Sequence, residues 1–595
     1  MGRPRLRIDG FEGLGMSNSF QPYYRSDPQN QFVLNANWTK GTHNIRFGTD
    51  IYLQDLDHNQ PEFSGGTGAA SGEFRFRQNT TERRGGERGN DYNAQAAWLL
   101  GLPQNAGKIW QFNENGYFTR TRLLSFYLRD RWQITPKLTM SYGVRYEIFP
   151  FPTRASRGLE RYDFSNNTIW ACGVGSIPTD CGIDVGKHNF VPRVGIAYRV
   201  DDDTVLRIGY GVTVDPFNWA RPLRTNFPIM AKDGPGLPNS YGYATTLRQG
   251  LEVINEPSLG DGVLNLPLNT NVRTMDTENL TRGYIQSWNL TLERRFGNWI
   301  ASAGYVATRS VNQLAGLEQN WGDIGEGNAG RQLNKLFGRS GSTSLFGSLG
   351  TAKYDSLQTK LERRFSNGVQ VNLAYTWAHG RGYTDEDSGD GPGFFRIPRF
   401  YDRTYGDLNQ DIRQNFQMTY IYETPFGKGK KLLVDSPLGM VLGGWQLSGL
   451  LSAYTGTPFS VTANSNELNA AASSQIADCV GEPRYVKAGS NGLWIDPGAF
   501  AQPDGPRFGT CGPNSVRGPG LFNLDIGIFR KFQISENTKL EFRAEGFNMT
   551  NTPHFERPNS RGVTSGTFMI LNRIRNTGRE GIDERMFRLG LRLEW

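Results

Sequence analysis

The stretch Leu124-Ser-Phe-Tyr-Leu-Arg-Asp-Arg-Trp-Gln-Ile-Thr-Pro-Lys-Leu-Thr-Met-Ser-Tyr-Gly-Val-Arg-Tyr-Glu-Ile148 decides the fold class, because it alternates through two runs joined by a turn. Phe126, Leu128, Trp132 and Ile134 share one phase, and Tyr127, Arg129, Arg131 and Gln133 take the other. Successive side chains of a strand point to opposite faces, so a period of two marks a strand with one apolar and one polar face. Pro136 presets a turn and cannot donate to a ladder. Leu138, Met140, Tyr142, Val144 and Tyr146 then oppose Thr139, Ser141, Gly143, Arg145 and Glu147. The whole reads as an antiparallel hairpin.

The unit recurs in both directions along the chain. Toward the N-terminus, Phe32, Leu34, Ala36 and Trp38 precede a tight turn at Thr39–Thr42, and Ile45, Phe47, Ile51 and Leu53 follow it. Toward the C-terminus, hairpins are expected from Arg193–Arg199 with Leu206–Val214, Trp288–Phe296 with Trp299–Ala307, and Leu357–Phe365 with Val369–Trp377. Two more pair Phe416–Glu423 with Trp445–Tyr454 and Leu524–Phe532 with Leu540–Met549. With Leu6–Ile8 counted as one further strand, about 16 strands are expected.

The connections alternate in length. Within hairpins they span 39–42, 134–137, 200–204, 297–298, 366–368 and 533–538, with Thr424–Gly444 as a long exception. Between hairpins they span 55–120, 150–190, 215–283, 309–353, 379–415, 457–520 and 550–584. Short periplasmic turns and long extracellular loops produce this pattern in a transmembrane barrel, whereas a propeller repeats similar joints. Arg, Glu, Asp, Asn and Gly fill one face, while Trp and Tyr gather near the strand ends of the other, as in the aromatic girdles of an outer-membrane barrel. The fold class expected is all-β: a large antiparallel transmembrane β-barrel spanning 31–595, with 1–30 holding a remnant strand and a loop.

Composition fits this class. Mean hydropathy is −0.53, and the longest nearly unbroken apolar run, Leu438–Trp445, is well short of the ~20 residues a spanning helix needs. A net charge of +8 from 65 basic and 57 acidic residues, without a block of like charges, gives no nucleic-acid signal. The four cysteines, Cys172, Cys181, Cys479 and Cys511, form two local groups with no C-x-x-C spacing. They are expected to be disulfides, Cys172–Cys181 and Cys479–Cys511, each inside one long loop of an oxidising compartment.

No motif in the sequence assembles a catalytic constellation. Gly325, Gly327 and Gly330 form G-x-G-x-x-G, but without a βαβ unit they are expected to lie in a loop. Asp385, Glu386, Asp387 and Asp390 lack calcium-loop spacing and suit a solvated extracellular loop, with weak calcium binding as the alternative. His43, His58, His188, His379 and His554 are dispersed, and no nucleophile elbow occurs. No catalytic residue, cofactor or metal ligand is assigned. Phe587, Leu589, Leu591, Leu593 and the terminal Trp595 alternate with Arg588, Gly590, Arg592 and Glu594. This terminal strand resembles the signal by which barrel-assembly machinery recognises its clients.

Several stretches then resemble one family. Ser125–Trp132 with Gly143-Val-Arg-Tyr-Glu147 is similar to a barrel hairpin of TonB-dependent receptors. Asn189–Tyr198 with Thr204–Gly211, Gln286–Arg294, Tyr354–Phe365, Gly443–Gly449, and Arg517–Gly520 with Phe542–Asn548 resemble the Oar-like branch. The resemblance covers 30–595 and implies an outer-membrane transporter, held in outer-membrane lipid, that takes up a large or scarce solute: a glycan, a peptide or a metal chelate. It implies a usual 22 strands, a plug and a TonB-contacting box. None of the last two is visible in residues 1–30, and Met1–Leu6 opens no signal peptide, so a truncated chain unable to drive energised uptake is expected. The TonB system would be a partner only through a plug upstream. Two alternatives are a plugless passive pore or adhesin, and a secreted soluble β-rich carbohydrate-binding protein.

Overall fold

The computed structural model describes residues 3–16, 24–59, 72–82, 90–111, 118–187, 189–215, 230–233, 242–251, 258–278, 280–383, 394–486, 492–575 and 584–595. Among the described residues, fifteen long strands form one antiparallel wall in chain order. They are β1 (Gln29–Lys40), β2 (His43–Asn59), β3 (Phe118–Thr135), β4 (Leu138–Ile148), β5 (Phe190–Arg199), β6 (Thr204–Val214), β7 (Tyr284–Phe296) and β8 (Trp299–Glu318). There follow β9 (Thr343–Ser366), β10 (Val369–Gly382), β11 (Gln414–Glu423), β12 (Trp445–Tyr454), β13 (Leu521–Gln533), β14 (Lys539–Phe547) and β15 (Met586–Glu594). Each pairs with its neighbours in sequence. Among the described residues no ladder joins β1 to β15.

Register carries the alternation from strand to strand. Phe47, Leu128 and Val144 stand opposite one another across β2, β3 and β4, and the row continues Tyr142–Val194–Tyr210 into β5 and β6. Tyr305, Leu357 and Trp377 extend it over β8–β10, and Ala544 with Leu589 over the last two strands. Apart from half-buried Ala544, these outward side chains are exposed, Leu589 to 74%. A continuous belt of this kind would be expensive in water and is at home in lipid. No helix among the described residues is long and apolar enough to cross a membrane; the three α-helices, α1 (Asp91–Leu99), α2 (Gln332–Phe337) and α3 (Pro437–Leu442), are short.

Among the described residues, conventional cores are packed at the long-loop end. One gathers Phe395, Ile397, Phe459, Val461, Phe508 and Phe568 from three different loops. Disulfides join Cys479 to Cys511 and Cys172 to Cys181, with Cα separations of 5.0 and 5.3 Å. A third tie is electrostatic: buried Glu160 meets Arg154 at 2.7 Å and also pairs with Arg157.

The structure corrects two expectations. Leu6–Ile8 is no barrel strand: Arg5–Ile8 pairs in parallel with Glu73–Phe76 in a small sheet of the cap, which explains fifteen wall strands rather than about 16. Ile8 there packs on Phe74, Phe76 and the alanines Ala94 and Ala97 of α1. The 309–353 connection is also nearly half strand, since β8 and β9 stay paired out to Glu318 and Ser344 across a bulge near Gln313. The loop proper is 319–342.

Candidate functional site: the lumenal face and its extracellular clasp

The inward phase of β2–β5 builds a recess of about 330 Å³ lined by Arg46, Tyr127, Arg129, Arg145, Glu147 and Arg193, among others. Arg46 lies directly opposite Arg129, and Gly143 stands between Arg129 and Arg193 in the next two ladders. A Cβ on Gly143 would sit 2.5 Å from the Leu128 carbonyl oxygen and 3.0 Å from the Arg129 Cβ, so glycine makes room for the flanking arginines. Arg145 is neutralised, at 2.7 Å from Glu147 and 3.2 Å from Asp50. Among the described residues no carboxylate pairs with Arg46, Arg129 or Arg193. Like charges directly opposite on a sheet repel. The recess is therefore set up to receive negative charge.

A second lumenal recess, at the short-turn end, has about 590 Å³ and a balanced lining that includes Glu423, Lys430, Lys531, Glu541 and Arg543. Lys430 meets Glu423 at 2.7 Å and Lys531 meets Glu541 at 3.1 Å, while Arg543 also pairs with Glu541. Its charges are already satisfied.

Above the lumen, residues from three distant segments form a clasp. His379 Nε2 is 2.9 Å from Asp407 Oδ1, and Arg413 approaches both, at 2.7 Å from His379 Nε2 and 3.1 Å from Asp407 Oδ2. Asp411 is buried: it accepts from the Gly380 amide at 2.6 Å, meets Arg413 Nε at 3.1 Å and pairs with Arg517. Arg517 also donates to Asp407 at 2.8 Å. Burial pushes the Asp407 carboxyl up, but the His379 hydrogen bond and the Arg413 charge outweigh it, leaving the group below its ordinary range. His379, Asp407 and Asp411 are close enough to hold a cation. The two guanidinium groups already supply the positive charge there, which makes the cluster a clamp between loops rather than a metal centre.

The other sequence candidates fall elsewhere. Gly325, Gly327 and Gly330 lie in turns, Gly325 and Gly327 at φ +82° and +59°. A strand does run up to Glu318 before them, but it belongs to a hairpin, not a βαβ unit. Asp385, Glu386, Asp387, Asp390 and His188 lie outside the described residues. His43 stacks on Trp132 and bonds Asp130 at 2.7 Å, His554 meets the Phe522 carbonyl, and His58 is buried, so the described histidines are not brought together. Phe587, Leu589, Leu591 and Leu593 share the outward face of β15, and Trp595 follows at 89% exposure. Neither the arginine recess nor the clasp was singled out from sequence. Arg517 is the one clasp residue that lay in a stretch already notable, Arg517-Gly-Pro-Gly520.

The outer membrane beta barrel domain family matches residues 1–582. The chain belongs to that family. Its place in the outer membrane follows, and the secreted soluble reading is set aside. No curated protein matches the chain. Among solved structures, the outer membrane transporter YddB from Escherichia coli is similar at 11% identity and a TM-score of 0.47, covering 96% of this chain and 54% of its own. The FrpB iron transporter from Neisseria meningitidis (F3-3 variant) gives 10% and 0.43 over 96% and 55%. The siderophore receptor PirA from Acinetobacter baumannii gives 10% and 0.43 over the same shares. The chain thus spans about half the length of the solved structures it matches.

Proposed function

We propose that the chain forms the barrel wall and extracellular vestibule of a TonB-dependent receptor that takes up a large or scarce solute bearing an anionic group. The ordered resemblance of six strand segments over 30–595 supports the receptor class. The observation that carries the charge is the trio Arg46, Arg129 and Arg193, aimed into one lumenal recess without acidic partners among the described residues. A carboxylate, phosphate or anionic chelate entering the recess would gain charge-assisted hydrogen bonds there. The protein acts as a conduit and not as an enzyme. Outer-membrane lipid contacts the outward belt, and the terminal residues Phe587, Leu589, Leu591, Leu593 and Trp595 serve the assembly machinery.

Cells carrying the protein are to be given ferric chelates, glycans and peptides of both charge signs. In a receptor where a plug and TonB-contacting box precede this barrel, the expected result is saturable accumulation of an anionic member that collapses when the proton-motive force is dissipated; this chain alone is expected to drive none. Replacing Arg46, Arg129 and Arg193 by Gln should reduce it about tenfold, the equivalent of ~1.4 kcal/mol, with the barrel still resistant to unfolding. Uptake indifferent to the proton-motive force would favour the passive pore. Uptake indifferent to the three arginines would remove the recess from the path.

A further inference from the structure

The one long connection at the short-turn end, between β11 and β12, is compact. Gly427, Gly439 and Gly443 let its strands of backbone approach so closely that a Cβ on Gly439 would lie 1.9 Å from the Leu433 carbonyl oxygen. Ser436 caps α3, accepting from the Leu438 amide at 3.3 Å, and Pro437 opens it. This small fold does not bury its apolar side chains. Leu438, Met440 and Val441 are 60%, 73% and 63% exposed, and Leu432, Val434 and Leu442 are exposed beside them.

The position of α3 says what covers it. Its last carbonyls accept hydrogen bonds from Trp445 Nε1 to Val441 at 2.9 Å and from Arg530 to Val441 at 2.7 Å, with a further Arg530 bond to Met440. Arg530 shares its phase along β13 with Ile528 and Phe532, which face out of the barrel. Its guanidinium lies 5.4 Å over the Trp445 ring and 4.5 Å over Phe532, and Trp445 meets Phe542 edge-on at 6.0 Å. The helix is therefore pinned to the outside of the wall, at the lower rim of the lipid-facing belt, next to an aromatic cluster of the kind that marks a membrane interface.

We propose that residues 424–444 form an interfacial foot, laying Leu438, Met440 and Val441 into the periplasmic phospholipid leaflet. The apolar face continues the belt directly. Exposed Lys428 and Lys431 on the same connection supply positive charge for lipid phosphates, while Lys430 is held by Glu423 at 2.7 Å. A helix this short gains its membrane position from the wall that holds it, and its apolar side chains then reach the headgroup–acyl boundary.

The described cysteines are all in disulfides, so a single introduced cysteine can be labelled selectively. The full chain, folded into vesicles of phosphatidylethanolamine and phosphatidylglycerol, is labelled with an environment-sensitive fluorophore at Met440→Cys. The reference label goes at Lys137→Cys, in the short turn between β3 and β4. The foot predicts quenching by nitroxide lipids about threefold stronger at 440 than at 137, with iodide quenching reversed. A second label at Leu438→Cys guards against a local effect of the first and should behave alike. Equal iodide access at 440, 438 and 137 would overturn the proposal, pointing to a surface in water or one kept for a soluble partner.

Discussion

The wall and the cap of this molecule obey different rules although one chain alternates between them seven times. In the wall, each strand needs only its neighbour's ladder and a solvent for each face, so side chains repeat with a period of two and little is buried. In the cap, loops from distant parts of the chain share cores such as Phe395–Phe459–Phe508 and are joined by disulfides and ion pairs. The lesson is that stability in the wall is distributed and lipid-dependent, whereas in the cap it is concentrated in a few cross-links.

The comparison is broken most severely at the clasp. Asp411→Ala leaves the partly buried Arg413 and Arg517 with Asp407 as their one remaining shared carboxylate, and losing one partner of a buried pair costs at most about 3–5 kcal/mol. Hydrogen exchange should rise across 406–411, 516–517 and at Gly380, whose amide donates to Asp411, with the rest of β10 and β11 protected as before. Exchange that rose equally through the wall would mean that cap and wall unfold together.

Opening the Cys479–Cys511 bond by Ser substitution should cost the cap about 3–4 kcal/mol, because the closed loop spans a separation of 32 residues. The Cys172–Cys181 bond closes only 9 and should cost about 1 kcal/mol less in the same loop-entropy account. Limited proteolysis of loops 455–520 and 149–189 in each variant reads both effects. A larger loss from the shorter loop would contradict this ordering.

A smaller effect is expected from pH. Burial raises the Glu160 carboxyl, but Arg154 and Arg157 more than reverse it and hold it below its ordinary 4.5. Its contribution is complete above that value, where the unfolded carboxylate is also ionised, and is lost as pH falls through the lower folded value. Exchange in 159–172 should therefore accelerate in acid and lose that dependence in Glu160→Gln. Unchanged acid sensitivity in the variant would assign it to another group.

The same contrast explains what could be read from sequence. Every hairpin from Phe32–Leu53 to Leu524–Met549 was legible, since lipid on one face and water on the other impose a period on local residues. The outer ends of β8 and β9 were not, because Ser310, Gly316, Ser344 and Gly347 pair above the belt where no apolar phase is needed. Arg5–Ile8 has a strand-like pattern, and only its long-range partner Glu73–Phe76 shows that it belongs to the cap. The arginine recess follows from the register of four strands, and the clasp draws His379, Asp407, Asp411, Arg413 and Arg517 from separate segments, so neither has a local signature.

The central claim is that one phase of the wall faces lipid and the other an aqueous lumen. It is tested most directly on β15, where Leu589 and Leu591 alternate with Gly590 and Arg592. Spin labels introduced one at a time at 589–592, in the full chain folded into vesicles, report collision with oxygen, which concentrates in lipid, and with a water-soluble nickel chelate. Labels at 589 and 591 should favour oxygen and those at 590 and 592 nickel. In parallel, Leu591→Arg should cost about 2–4 kcal/mol while Arg592→Ser stays near neutral. Accessibility without a two-residue period, or with the phases reversed, would contradict the account.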